Sequence, residues 1–181
     1  AILSKPPSPP PTARTMCQPL PEDEMTKRHI LVIDKSATAD TRTCDYANVS
    51  KETLLNASVQ HIHDVHRAMH WFQLRIEEAA DRHDDDKVTD IDGFHADFVT
   101  GFEQTGWWDR HRKLNRHHLL ADDGVPDDVN LIDVLDMIAD CVMAGMARSG
   151  SVYPLDIKPD VLMRAFQNTA ALLQSHVEVS P

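Results

Sequence analysis

Cysteine is scarce, with Cys17, Cys44 and Cys141 scattered through 181 residues. With no CxxC and no even framework, neither a zinc ribbon nor a secreted disulfide scaffold is expected, and a reducing compartment fits. Long apolar runs are missing too. No segment approaches the roughly 18 consecutive apolar residues of a membrane span, and no signal-peptide apolar core opens the chain. Positive charge is in short supply: 18 Lys and Arg against 29 Asp and Glu leave a net charge of −11. That argues against duplex nucleic acid, a partner that requires clustered cations to displace counterions. A phosphate on a small molecule stays open, because a bound cation reverses the local field. Six glycines and 6% aromatics exclude collagen-like repeats, while 41% hydrophobic and 26% charged residues describe an ordinary globular chain. A soluble, cytoplasmic protein with no membrane partner is expected.

Proline is abundant, but locally so. Seven of the eleven prolines fall within the first 24 residues, which read as an extended arm over 1–26. Residues 27–50 form an irregular segment whose short β-prone run, His29 to Asp34, is at most a marginal strand. From Ser50, an N-cap candidate, the pattern turns helical, and 51–181 reads as one helical domain. Ile62, Val65, Met69, Phe72 and Ile76 recur at spacings of 3 and 4, the apolar stripe of a helix that ends near Asp81. A second helix carries Phe94, Phe98 and Phe102 and stops near Gly106. A polar, His-rich stretch follows at 107–118, then the turn DDGVPDD, an apolar helix from about Asp128 to Arg148, and a last helix over 159–177. The fold class expected is all-α, a compact bundle of about five helices behind a proline-rich N-terminal arm.

Histidine is the informative surplus: nine of the eleven lie between 61 and 118. Imidazole is a common ligand of transition metals and a common acid or base at neutral pH. At about 100° per residue, His61 lies about 60° from the centre of the apolar stripe and borders the core, while His63 and His70 face water. His66 borders the opposite edge. His83-Asp84 follows the end of the helix, where a turn lets imidazole and carboxylate reach one cation, and it continues as Asp85-Asp86-Lys87. Asp133, Asp136 and Asp140 share an arc of about 60° on a helix otherwise apolar enough to be buried. Buried carboxylates require a cation or hydrogen-bond donors in compensation, so the acidic stripe suits metal binding or catalysis. Finally, WWDRHRKLNRHH at 107–118 gathers cationic donors, imidazoles and an amide, an inventory fit to recognise or protonate a phosphate ester.

Taken in order, His61, His83-Asp84 and a distal Asp resemble the H…HD…D signature of HD-domain metal-dependent phosphohydrolases. The motifs HIHDV at 61–65, HDDDK at 83–87, HRKLNRHH at 111–118 and VNLIDVLDMIADC at 129–141 also look like those of a group of small phage and bacterial proteins related to it. The resemblance covers roughly 55–150. It implies an HD-like helical fold in which His61, His83, Asp84 and one distal aspartate, Asp140 ahead of its rivals Asp133 and Asp136, hold a divalent cation. It places His117 and His118, with His111, as ligands of a second metal or phosphate contacts, and Lys87 as a phosphate-binding cation. Asp85 and Asp86 depart from the pattern, since they compete for Lys87.

The reaction implied is phosphoester hydrolysis with Mn, Fe, Co, Ni or Zn, the substrate a nucleotide or other small phosphorylated molecule, in a host cytoplasm if the chain is phage-encoded. Asp136, Asp133 and His111 are the candidates for proton transfer beside Lys87. A homo-oligomer is compatible with this reading. The competing readings are a structural or interaction protein that binds its partner through the arm, and a host-directed inhibitor whose acidic surface mimics nucleic acid.

Overall fold

Ser50 starts the longest element of the computed structural model, which describes residues 30–38, 42 and 44–181. The arm expected at 1–26 and His29 lie outside the described residues. Ser50 Oγ accepts from Thr53 N at 3.1 Å and caps α1 (Lys51–Arg82); such a cap contributes about 1 kcal/mol. The chain then breaks at His83-Asp84 into two short helices, α2 (Asp85–Thr89) and α3 (Ile91–Phe98).

The helix expected to run past Phe102 ends at Phe98. Gly101 and Phe102 take left-handed φ of 73° and 68°, and Thr100 Oγ1 donates to Asp97 O at 2.8 Å. The fully buried Asp97 carboxylate accepts from Thr105 N at 2.9 Å and Trp108 N at 3.0 Å. It thereby satisfies amides at the start of α4 (Trp107–Leu114), a helix within the stretch read only as polar and His-rich. Sequence pattern missed it because the capping carboxylate lies ten residues upstream of the helix.

A 3₁₀ turn over Asp122–Gly124 leads to α5 (Leu131–Ser149). Its capping box is built by Asn130 and Asp133, and Gly150, at φ 69°, ends it. α6 (Pro159–Ser175) begins on a proline, whose missing N–H costs nothing there. Residues 177–180, expected within the helical domain, instead form β2 (Val177–Ser180). It pairs in parallel with β1 (Leu31–Asp34), Leu31 opposite Val177 and Asp34 opposite Ser180. The β-branched residues of VEVS favour this once a partner strand is near. Gln60 Nε2 donates to Asp34 O at 3.1 Å and ties the two-stranded sheet to α1.

Six α-helices and two short strands among the described residues make the fold mostly helical, with one helix more than the five expected. No described helix is long and apolar enough to cross a membrane. Both α1 and α6 pack against α5. The core gathers Leu119, Val129, Val134, Met137, Cys141, Val161 and Ala165. On α1 the buried residues are Ala57 and Trp71. Trp71 lies against Phe72 and His176 with ring centroids 5.1 and 5.0 Å away, a burial that contributes on the order of 3 kcal/mol.

The orientation of α1 overturns one expectation. Ile62, Val65, Met69 and Ile76, expected to face the core, are exposed at 61%, 46%, 61% and 41%. The inward side is the line of Ala57, Ala68 and Trp71, about 110° around the helix. The indole of Trp71 outweighs the thinner aliphatic stripe in deciding which side packs. His61, expected at the core edge, is accordingly exposed; His63, His66 and His70 are exposed as well.

Candidate metal centre

The centre is built at the break between α1 and α2. His83 is the C-cap of α1 and its N–H reaches Ala80 O. Asp84 takes a left-handed conformation, φ 55°, which a short polar side chain tolerates better than most. Asn115 holds that turn by accepting from Asp84 N at 3.1 Å. The sharp reversal aims both side chains at α5 and at the end of α4.

His83 Nδ1 lies 2.7 Å from Asp136 Oδ1. Its Nε2 lies 3.5 Å from Asp84 Oδ2 and 3.9 Å from Asp140 Oδ1. His111, fully buried, places Nδ1 2.9 Å from Asp86 Oδ2, and both Trp107 and Trp108 stack on its ring at 5.0 Å. Its Nε2 lies 3.4 Å from Asp84 Oδ1 and 2.9 Å from His118 Nε2. With the proton assigned to Nδ1, facing the carboxylate in each residue, Nε2 is left as the acceptor nitrogen, beside Asp84 in His83 and between Asp84 and His118 in His111. An imidazole oriented by a carboxylate behind it is a frequent arrangement at metal sites.

His117 supplies the sharpest observation. Its ring stacks on His83 at 4.4 Å and it is 3% exposed, yet neither ring nitrogen has a hydrogen-bond partner. Nδ1 is 3.4 Å from Asp136 Oδ2 and Nε2 is 3.6 Å from Asp84 Oδ1, without hydrogen-bond geometry. Asp84 Oδ1 is likewise buried and unpartnered. Leaving such groups unsatisfied costs about 1–3 kcal/mol each, a cost that a cation between them would remove.

Charge points the same way. Four carboxylates, Asp84, Asp86, Asp136 and Asp140, line the centre, and one of them is paired with a lysine: Lys87 Nζ lies 2.5 Å from Asp84 Oδ2 and 5.9 Å from the Trp108 ring. Burial alone would raise the Asp84 carboxyl, but Lys87, His83 and His117 outweigh it and hold it below the ordinary range. Asp136 is held down in the same way, burial again opposed by His117 and His83. Burial lowers His111 despite Asp86. Burial, joined by neighbouring His117 and His111, pushes His118 down to about 3. Neutral imidazoles and ionised carboxylates are the protonation states that metal binding requires.

Four overlapping sets bring their ligand atoms within 4.8 Å of one another: His83–His117–Asp136, Asp84–His117–His118, His83–Asp84–Asp140 and Asp84–Asp86–His111. These groups can hold a metal ion. A cleft lined by His117, His118, Met137 and Asp140 opens onto them.

Of the residues singled out in the sequence, His83, Asp84, Lys87, His111, His117, His118, Asp136 and Asp140 converge here. His61 belongs to none of the four sets. Asp133 is occupied elsewhere: its Oδ1 takes Arg116 Nε at 2.8 Å and its Oδ2 takes Asn130 N at 2.9 Å, so it starts α5 rather than serving the centre. Asp86 and Asn115 were missed. Asp86 read as a competitor for Lys87, and the Nδ2 of Asn115 instead donates to it at 2.9 Å. The signal for Asn115 was its place within NRHH, but its contact with Asp84 spans 31 residues.

Compared with family models, curated proteins and solved structures, the chain matches none.

Proposed function

We propose that the chain is a divalent-metal-dependent phosphohydrolase of HD-domain type acting on a small phosphoester, a nucleotide being the favoured substrate. The observation that carries the metal is the buried His117, with both ring nitrogens unpartnered between Asp84 and Asp136. The order His83-Asp84 followed by aspartates on a later helix supports the family reading. The ligand set differs in one respect from the HD signature, since His117 supplies the imidazole expected from His61. Mixed nitrogen and oxygen donors suit Mn, Fe, Co, Ni or Zn.

The chemistry a divalent cation supplies in such a centre is Lewis acidity toward water and toward a phosphoryl oxygen. The chain's own residues then divide the work. Asp136 and Asp86 orient His83 and His111 through Nδ1. Asp140, at 37% the most exposed carboxylate beside His83, faces the cleft and is placed to take a proton. Lys87 offers its ammonium to a phosphate once Asp84 is drawn to the cation.

Metal analysis of the purified chain with a hydrolysis screen over nucleotides and simple phosphoesters tests the proposal. Stoichiometric transition metal and turnover are expected, both lost together in His83→Ala and Asp84→Ala. A chain that takes up metal but hydrolyses nothing in the screen would retain the centre and remove the reaction.

A further inference from the structure

The outward side of α1 carries a continuous apolar stripe. Leu55, Val59, Ile62, Val65, Met69 and Ile76 are 62%, 43%, 61%, 46%, 61% and 41% exposed. Together they amount to on the order of 500 Å², toward the upper end of the largest patch on a typical monomer, and patches of that size often serve a function. No described residue covers it. The stripe is not scattered: Leu55, Ile62, Met69 and Ile76 repeat every seven residues along a helix of 32. A seven-residue apolar repeat is the pattern by which one helix packs along another.

We propose that this face is the interface of a homodimer, in which α1 of a second copy runs antiparallel across it. The repeat is self-complementary in that direction. Reversing the helix on itself sets Leu55 opposite Ile76, Ile62 opposite Met69 and Val59 opposite Phe72, each contact occurring twice about one two-fold axis. Opposed helix dipoles favour the same direction. At about 1.5 Å per residue, α1 is about 48 Å long. With the neighbouring Ser58, His66 and Gln73, the stripe approaches the roughly 800 Å² per partner of a standard stable interface. The chain's own N-terminal arm is the weaker match in sequence, with seven prolines in its first 24 residues. The interface is independent of the metal centre, which is built from residues beyond the end of α1.

Sedimentation of the full chain at micromolar concentration tests the inference. The expected mass is twice the 20.4 kDa of one copy. Ile62→Glu and Met69→Glu should each give monomers with unchanged helical circular dichroism. Combining Ile62→Glu with Met69→Lys sets opposite charges across the antiparallel pair and should restore dimer at least tenfold over Ile62→Glu alone. Leu55→Ser with Ile76→Ser provides a milder disruption that should weaken association without altering the fold. A monomeric wild type would overturn the proposal, as would a dimer that survives both glutamates. A charge pair that fails to restore association would overturn the antiparallel arrangement.

Discussion

Helices α1 and α5 are both amphipathic, and they use that property in opposite ways. Buried Val134, Met137 and Cys141 turn α5 into the core, while its aspartates meet the histidines at the end of α4 and the break after α1. α1 leaves its aliphatic stripe outside and packs through Ala57 and Trp71. Periodicity therefore says which residues share a side of a helix. It does not say what covers that side. On α5 the two questions have one answer; on α1 they do not, and the expectation for His61 fell with the second.

The sharpest way to break the contrast is to compare His117, which faces Asp136 of α5, with His61 on α1. If the centre belongs to α5 and its neighbours, His117→Ala should lower metal affinity by at least the 10–100-fold typical of disturbed metal sites. His61→Ala should leave affinity unchanged, as measured by competition with a chromogenic chelator. Equal losses in both would return His61 to the centre.

Next in size is Asp133, which shares an arc with Asp136 but serves the helix. Asp133→Ala removes a capping partner and leaves the half-buried Arg116 with Asp128 as its remaining carboxylate. It should cost about 2 kcal/mol in urea unfolding, with metal stoichiometry unchanged. Lost metal at full stability would mean that Asp133 acts at the centre.

A packing test on α5 should follow in magnitude. A Cβ on Gly145 would run into Ser151 O and sit 2.8 Å from Tyr153 N. Backbone at that distance cannot move aside freely, so Gly145→Ala should lower stability by about 1–3 kcal/mol, read from the melting temperature. A neutral effect would place the 151–153 strand of chain farther from α5.

Acid should have a graded effect on chelator-treated protein. His118 is pushed down to about 3 and His111 is lowered from 6.5. Below pH 6.5 the unfolded chain takes up protons that the folded chain refuses, so stability falls as pH drops from 6.5 toward 3. Asp84 and Asp136, held below 3.8, add their own loss only as pH falls beneath that value. Thermal melts across this range should show the decline beginning near the ordinary histidine range, and His118→Asn should make it shallower. A flat profile down to pH 4.5 would mean that these imidazoles are not buried as neutral bases.

Much of the centre was legible because its chemistry is written in residue type: His83-Asp84, NRHH and the aspartates of α5 stand out in a chain otherwise ordinary in composition. The helices were legible where caps and periodicity agree, as at Ser50 and Pro159. What escaped depended on contacts between distant segments. Asp97 on α3 accepts from Trp108 N at the start of α4, Asn115 fixes the Asp84 backbone across 31 residues, and β2 pairs with β1 from the far end of the sequence. No local pattern encodes those partners.

The most direct test of the central claim is the metal content of purified chain after exposure to Mn, Fe, Co, Ni and Zn in turn, measured beside His117→Ala. Stoichiometric retention of at least one of these metals by the wild type is expected, with its loss from a His117→Ala chain that is still folded. A wild type that retains none of them, or a His117→Ala chain that retains as much, would contradict a metal centre built on His117.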